Sequence, residues 1–129
     1  MIKIFKKQPQ HLKIGQRGER AARRYLRRHG YRILSKNYTY GKCELDIVAE
    51  HRKTGILVFA EVKTRTKGQL TLPREAVNFQ KRENIRKAAR QYVRAHKFFD
   101  KCIRYDILEV IAPEFAVTHI ENAFNGEKR

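Results

Sequence analysis

Ile56-Leu57-Val58-Phe59-Ala60-Glu61-Val62-Lys63 is the stretch whose reading decides the fold. An unbroken apolar run that ends abruptly in charge is the mark of a strand buried on both faces. Side chains alternate along a strand, so Glu61 and Lys63 share one face while Val62 points to the other. Just upstream, His51-Arg52-Lys53-Thr54-Gly55 is polar and ends in Gly, as a hairpin loop does, which makes residues 43–50 an antiparallel neighbour of 56–64. Before it, residues 31–40 are aromatic and β-branched, with turn signals near Ser35 to Asn37 and at Gly41.

Farther out lie two helices. Ile14 to His29 places Ile14, Gly18, Ala21, Ala22, Tyr25, Leu26 and His29 on one face, and Gly30 stops it. Arg17, Arg20, Arg23, Arg24, Arg27 and Arg28 fall on the opposite side as a polybasic face. Downstream of the central strand, Thr64 to Pro73 reads as a mobile basic loop carrying Arg65 and Lys67. Pro73 suits a helix start, and Arg74 to Lys97 is amphipathic, with Val77, Ile85, Ala88, Ala89, Tyr92 and His96 on the side that covers a sheet. Arg104 to Ile111 returns to strand character, Pro113 marks a turn, and Phe115 to Ile120 reads as a final short strand. The expected architecture is α/β: a central mixed sheet of about five strands flanked by two long helices. One domain spans 13–124, with a basic tail at 1–12 and a polar tail at 125–129, and 129 residues leave little room for a second core.

Charge narrows the function. Thirty Lys and Arg against 13 Asp and Glu leave +17, so polyanions are the natural partners. Nucleic acid fits best, because phosphates reward a basic surface by releasing condensed counterions. An anionic membrane surface is the rival, but the apolar face of the first helix is needed for the core. No apolar run approaches the roughly 20 residues of a membrane helix. The N-terminus lacks a signal-peptide h-region. The expected location is therefore the cytoplasm, without membrane attachment. Cys43 and Cys102 lack any zinc-ligand or disulfide spacing and are expected to be buried free thiols.

The chemistry gathers around the central strand. On the preceding strand Glu44 and Asp46 share a face by alternation, with Leu45 and Ile47 on the other. An aspartate in this apolar context is costly unless paired or bound to a metal. Asp46 with Glu61 offers two hard oxygen ligands, and Mg²⁺ accepts one or two carboxylates while keeping waters and substrate phosphate. Lys63 would stand beside that metal and stabilise charge building on a scissile phosphate. The competing structural reading is an ordinary cross-strand ion pair. Lys81 sits in the middle of the second helix's apolar stripe, where it either snorkels outward or contacts phosphate in the cleft. Gln80, off the stripe, reads as solvated. Glu19 lies at the border of the first helix's apolar stripe, and a carboxylate near a helix N-terminus explains it structurally. Gly15-Gln16-Arg17-Gly18 lacks P-loop spacing, and neither an H-x-x-x-H nor a G-x-S-x-G arrangement occurs, which excludes the corresponding hydrolase signatures.

Taken in order, Gly15-x-x-Gly18-Glu19, Gly30-Tyr31-x-Ile33-Leu34-x-x-Asn37, Glu44-Leu45-Asp46-Ile47-Val48-Ala49, Phe59-Ala60-Glu61-Val62-Lys63-Thr64-Arg65, Arg104-Tyr105-Asp106 and Asn122-Ala123-Phe124 resemble the YraN family of bacterial proteins. The resemblance covers about residues 13 to 124. That family is grouped with the restriction-endonuclease-like superfamily and is similar to archaeal Holliday junction resolvases. Its PD-(D/E)xK site matches Asp46 with Glu61-x-Lys63. The resemblance implies an α-β-β-β-α-β core, Mg²⁺ or Mn²⁺ dependence, phosphodiester hydrolysis and, by analogy with dimeric resolvases, a homodimer. It also implies that Glu19 is an additional ligand to metal or water. One departure is Cys43, which stands where the family usually has Gly.

The leading expectation is thus a metal-dependent endonuclease acting on DNA, with branched or flapped DNA preferred. Glu19, Asp46, Glu61 and Lys63 are its catalytic set, and Asp46, Glu61 and Glu19 its metal ligands. Arg17, Arg20, Arg24, Arg65, Lys67 and Lys81 are its nucleic-acid contacts. The alternative is a non-catalytic nucleic-acid-binding protein that retains the fold.

Overall fold

The computed structural model describes residues 10–68 and 79–126. Seven elements follow in the order α1 (Gln10–Arg28), β1 (Tyr31–Tyr40), β2 (Cys43–His51), β3 (Leu57–Thr66), α2 (Phe79–His96), β4 (Ile103–Ala112) and β5 (Ala116–Phe124). The strands form one five-stranded sheet in the order β1-β2-β3-β4-β5. β3 and β4 are parallel, and the other neighbours are antiparallel. A parallel pair needs a long crossover, which α2 supplies; the three antiparallel pairs follow from short turns. This is the α/β, five-stranded mixed sheet with two helices expected from the sequence, including the element order α-β-β-β-α-β.

The apolar run at the head of β3 explains the layering. Leu57 and Phe59 pack with Ile85, Ala88, Ala89 and Tyr92 of α2, while Val58 and Ala60 pack with Ala22 and Leu26 of α1. All four β3 residues are buried. A strand with a helix on each side must be apolar on both faces, which is why this one does not alternate. α1 is held close by Gly18, where a Cβ would lie 1.9 Å from Thr64 Oγ1 of β3. Gly30, at φ +91°, turns the chain from α1 into β1 in a conformation that favours glycine.

Several boundaries differ from the expectation. α1 begins at Gln10, inside the expected tail. β3 runs to Thr66 and so absorbs the first residues of the expected basic loop. β5 extends to Phe124, because the β4 edge offers hydrogen-bond partners that local sequence does not announce. Residues 69–73 of the loop, the helix start at Pro73, Arg74 and Val77 lie outside the described residues. His29 and His96 are exposed rather than packed against the sheet. Each lies over the preceding tyrosine at i−4, with ring centroids 3.9 Å and 4.0 Å apart, and bonds that tyrosine's carbonyl oxygen through Nδ1. The cysteines are free, but not buried: Cys43 is half-buried and Cys102 is exposed in the turn before β4.

Candidate functional site

β2 and β3 part company where the chemistry begins. Their pairing runs from Glu50↔Leu57 to Ile47↔Ala60. One residue further, the Asp46 side chain takes over: its Oδ2 accepts the Val62 N–H at 2.8 Å. Strict alternation fails here, since Leu45 packs into the α2 layer while Ile47 packs into the α1 layer. Asn37, flanked in β1 by the partners of Leu45 and Ile47, has φ +52°, so both strands swivel at the same level. The expected common face for Leu45 and Ile47 is therefore corrected, because the carboxylate has replaced a main-chain acceptor and turned the strand.

Glu61 follows the unbroken apolar run of β3 and is 4% exposed. Its Oε1 lies 2.5 Å from Lys81 Nζ, which reaches across from α2. The ammonium approaches off the direction of a good hydrogen bond, and Oε2 has no hydrogen-bond partner among the described residues. An ionised carboxylate in such a position is costly. The pair borders a cleft of about 370 Å³ whose walls include Lys42, Glu44, Asp46, Glu61, Gln80 and Lys81.

The local field is acidic against a basic surround. Burial pushes the Asp46 carboxyl up to about 6; Glu19, Glu61 and Glu44 add to the rise, while the Val62 N–H opposes it. Burial also raises Glu19, with Arg23 opposing and Glu44 adding. Burial lowers Lys63 below the usual lysine range, against the pull of Glu61 and with help from the like charges of Lys81 and Arg65. For Lys81 burial acts downward, but the Glu61 contact, with Asp46 and Glu44, outweighs it and the ammonium is held above its ordinary value. An acid whose charge burial and neighbouring carboxylates disfavour, facing a cleft, is a mark of functional sites, because structural charges are usually compensated.

The structure thus brings Asp46, Glu61 and Lys81 together, with Lys63 two residues further along β3 and Glu19 acting on Asp46 from α1. Lys81 leaves the apolar stripe: it lines the cleft, and its side chain is 58% exposed, as a lysine that snorkels outward is. Arg17, Arg20 and Arg24 are exposed on α1 and do not line the cleft; Arg17 lies 4.4 Å from the centre of the Phe115 ring. Arg65 is half-buried and Lys67 exposed at the end of β3. Gln80 is solvent-exposed as expected, lines the cleft and donates to Asn84 Oδ1 at 2.9 Å. Lys42 and Asn84 escaped the sequence reading; the Gln80-to-Asn84 spacing of one helical turn was the available signal.

Asp46 and Glu61 suit a hard divalent cation such as Mg²⁺ or Mn²⁺. Both donors are carboxylates, Glu61 Oε2 is buried without a hydrogen bond among the described residues, and such ions keep several waters beside one or two protein ligands. Among the described residues no three His, Cys, Asp or Glu side chains form a metal-ligand group, so Glu19 does not complete a three-carboxylate cage with them. No helix among the described residues is long and apolar enough to cross a membrane.

Fold and site together define an α/β domain with a carboxylate and lysine cleft where β2 and β3 separate. The chain belongs to the family described as Uncharacterised protein family UPF0102, whose pattern matches residues 18–110. It is 42% identical over 116 residues to a UPF0102 protein of Alkaliphilus oremlandii, covering 87% of this chain and 97% of that one. A UPF0102 protein of Caldanaerobacter subterraneus is 41% identical over 116 residues, covering 86% and 93%. One of Geobacter metallireducens is 40% identical over 115 residues, covering 86% and 91%.

Proposed function

We propose that this protein is a metal-dependent nuclease of the restriction-endonuclease-like kind, hydrolysing phosphodiester bonds in DNA at Asp46 and Glu61-Val62-Lys63. The observation that carries this reading is the Asp46–Glu61 pair: two acids lining one cleft, one with a buried oxygen that has no hydrogen-bond partner among the described residues, in a chain of net charge +17. Asp46 and Glu61 would hold Mg²⁺ or Mn²⁺, which when bound supplies a Lewis acid and lowers the pKa of a water molecule. Lys63, whose charge burial disfavours, gains most when a phosphoryl oxygen becomes more negative. Lys81 positions a phosphate from α2, and Glu19 orients water from α1. Val62 fixes the direction of the Asp46 carboxylate through its N–H.

A panel of single-stranded, duplex, flap and four-way DNA with Mg²⁺ or Mn²⁺ tests the reading. Cleavage should require the metal and fall about 10³-fold in Asp46→Asn and Glu61→Gln, the order of loss for a transition-state group worth about 4 kcal/mol. Binding should persist. Wild-type cleavage by Asp46→Asn would remove the site. The exposed arginines of α1, which stand away from the cleft, favour a second reading: a protein that binds nucleic acid without cutting it. It predicts steeply salt-dependent binding and no metal-dependent product.

A further inference from the structure

Beside the cleft, on the same side of the sheet, lies a groove that none of the roles above uses. Its walls are Tyr40, at the end of β1, and Lys87, Arg90, Gln91 and Arg94 of α2. Tyr38 buries its ring against Tyr92 in a T-shaped contact, with centroids 5.0 Å apart. Tyr40, two residues on, extends past that packing and leaves 48% of its surface exposed. An aromatic ring this open, with cations along the facing helix, is a stacking platform with phosphate clamps rather than a piece of core. The groove also continues the cleft. Lys42, just beyond the Gly41 turn from Tyr40, lines the cleft, and on α2 the cleft residues Lys81 and Asn84 lead at helical spacing to Lys87, Gln91 and Arg94. From Lys81 to Arg94 the helix covers about 20 Å, enough to follow several nucleotides of a strand.

We infer that the Tyr40–Lys87–Arg90–Arg94 groove binds an unpaired DNA strand next to the cleaved bond, one base stacking on Tyr40 and its flanking phosphates held by the α2 cations. The occupant is single-stranded because in a duplex the neighbouring base pairs cover the face that stacking on Tyr40 needs. This inference rests on the phosphodiester reading of the cleft for its place in the reaction, but not for the binding itself.

The test is anisotropy of a labelled dT20 strand and of the blunt duplex of the same length, both in EDTA. Tyr40→Ala should weaken dT20 binding about tenfold, within the range of single base-stacking contacts, and leave the duplex within about twofold. Tyr40→Phe keeps the ring and should bind like wild type. The chain contains no tryptophan, so Tyr40→Trp provides a single reporter whose fluorescence should be quenched by dT20 and not by the duplex. Replacing Lys87, Arg90 and Arg94 together by Ala should reduce the salt slope for dT20 by about two, at roughly 0.7 per phosphate contact. The groove is refuted if Tyr40→Ala binds dT20 like wild type, if strand and duplex weaken alike, or if the fluorescence of the Tyr40→Trp variant ignores the strand. Because no metal is present, the two readings fail separately. Tyr40-dependent binding without any cleavage in Mg²⁺ or Mn²⁺ keeps the groove and refutes the cleft. Cleavage in a protein whose strand binding ignores Tyr40 keeps the cleft and refutes the groove.

Discussion

Asp46 and Asp106 are both aspartates within β-strands, and each accepts a backbone N–H from the next strand: Val62 at 2.8 Å for Asp46, Asn122 at 2.9 Å for Asp106. Each sits where strand pairing falters, Asp46 where the β2–β3 ladder stops and Asp106 at the register shift of β4–β5. There the likeness ends. Asp106 is fully buried, but Arg104 donates to both its oxygens and His119 Nε2 lies 2.7 Å from Oδ2. Burial opposes its charge, yet His119, Arg104 and the Asn122 N–H together pull the carboxyl below its ordinary value. Among the described residues Asp46 has one N–H donor and three acidic neighbours, and its carboxyl is pushed up. A carboxylate whose partners are all supplied by the fold is a structural part; one left short of partners is a site.

That contrast breaks first on activity. Asp46→Asn should cost about 10³-fold in metal-dependent cleavage, while a folded Asp106→Asn should cut within about threefold of wild type in the same assay. Equal losses would show that Asp46 is no more than another structural aspartate.

Stability should invert the order. Asp106→Ala strands Arg104, His119 and the Asn122 N–H in the interior, and breaking a buried network of this kind costs about 3–5 kcal/mol, or roughly 10–20 °C in melting temperature. Asp46→Asn, melted at pH 7 in EDTA, should instead raise stability by about 1–3 kcal/mol, since Asn retains an acceptor for Val62 and removes a charge that the folded state disfavours. A destabilised Asp46→Asn would contradict the electrostatic account of the site.

The smallest effect is the acid limb. The folded pKa of Asp106 lies below its ordinary 3.8, so its stabilising contribution is present above that value and is lost as pH falls through the folded pKa. Acid denaturation curves of wild type should therefore steepen below about pH 4, and Asp106→Asn should flatten that limb. An unchanged slope would assign the acid transition to other carboxylates.

The strand-after-strand order, the hairpin and the two helices were legible because burial imposes periodicity on neighbouring residues, and the run Leu57 to Ala60 could only be covered on both sides. Glu61 stood out because it interrupts that run. Lys81 was legible as an anomaly, a lysine within an apolar stripe, with solvent and the cleft both open as its destination. Tyr40 looked like an ordinary strand residue until α2 was laid across the sheet and left its ring uncovered. The extra length of β5 and the exposure of His29, His96 and Cys102 also escaped, since strand ends and side-chain rotamers are settled by partners distant in the chain.

By itself the sequence determined the kind of surface this protein has, through its net charge, and the residues that do not belong where they stand: Asp46, Glu61 and Lys81. Only the tertiary structure decided which of its acids are satisfied. Asp106, too, is an acid in an apolar strand, and residue order alone does not separate it from Asp46. Arg104 is its near neighbour, but His119 and the Asn122 N–H arrive from β5, whereas Asp46 is met by Glu19 from α1 and Glu61 from β3. Charge compensation is a property of distances across the fold, and residue order alone does not contain them.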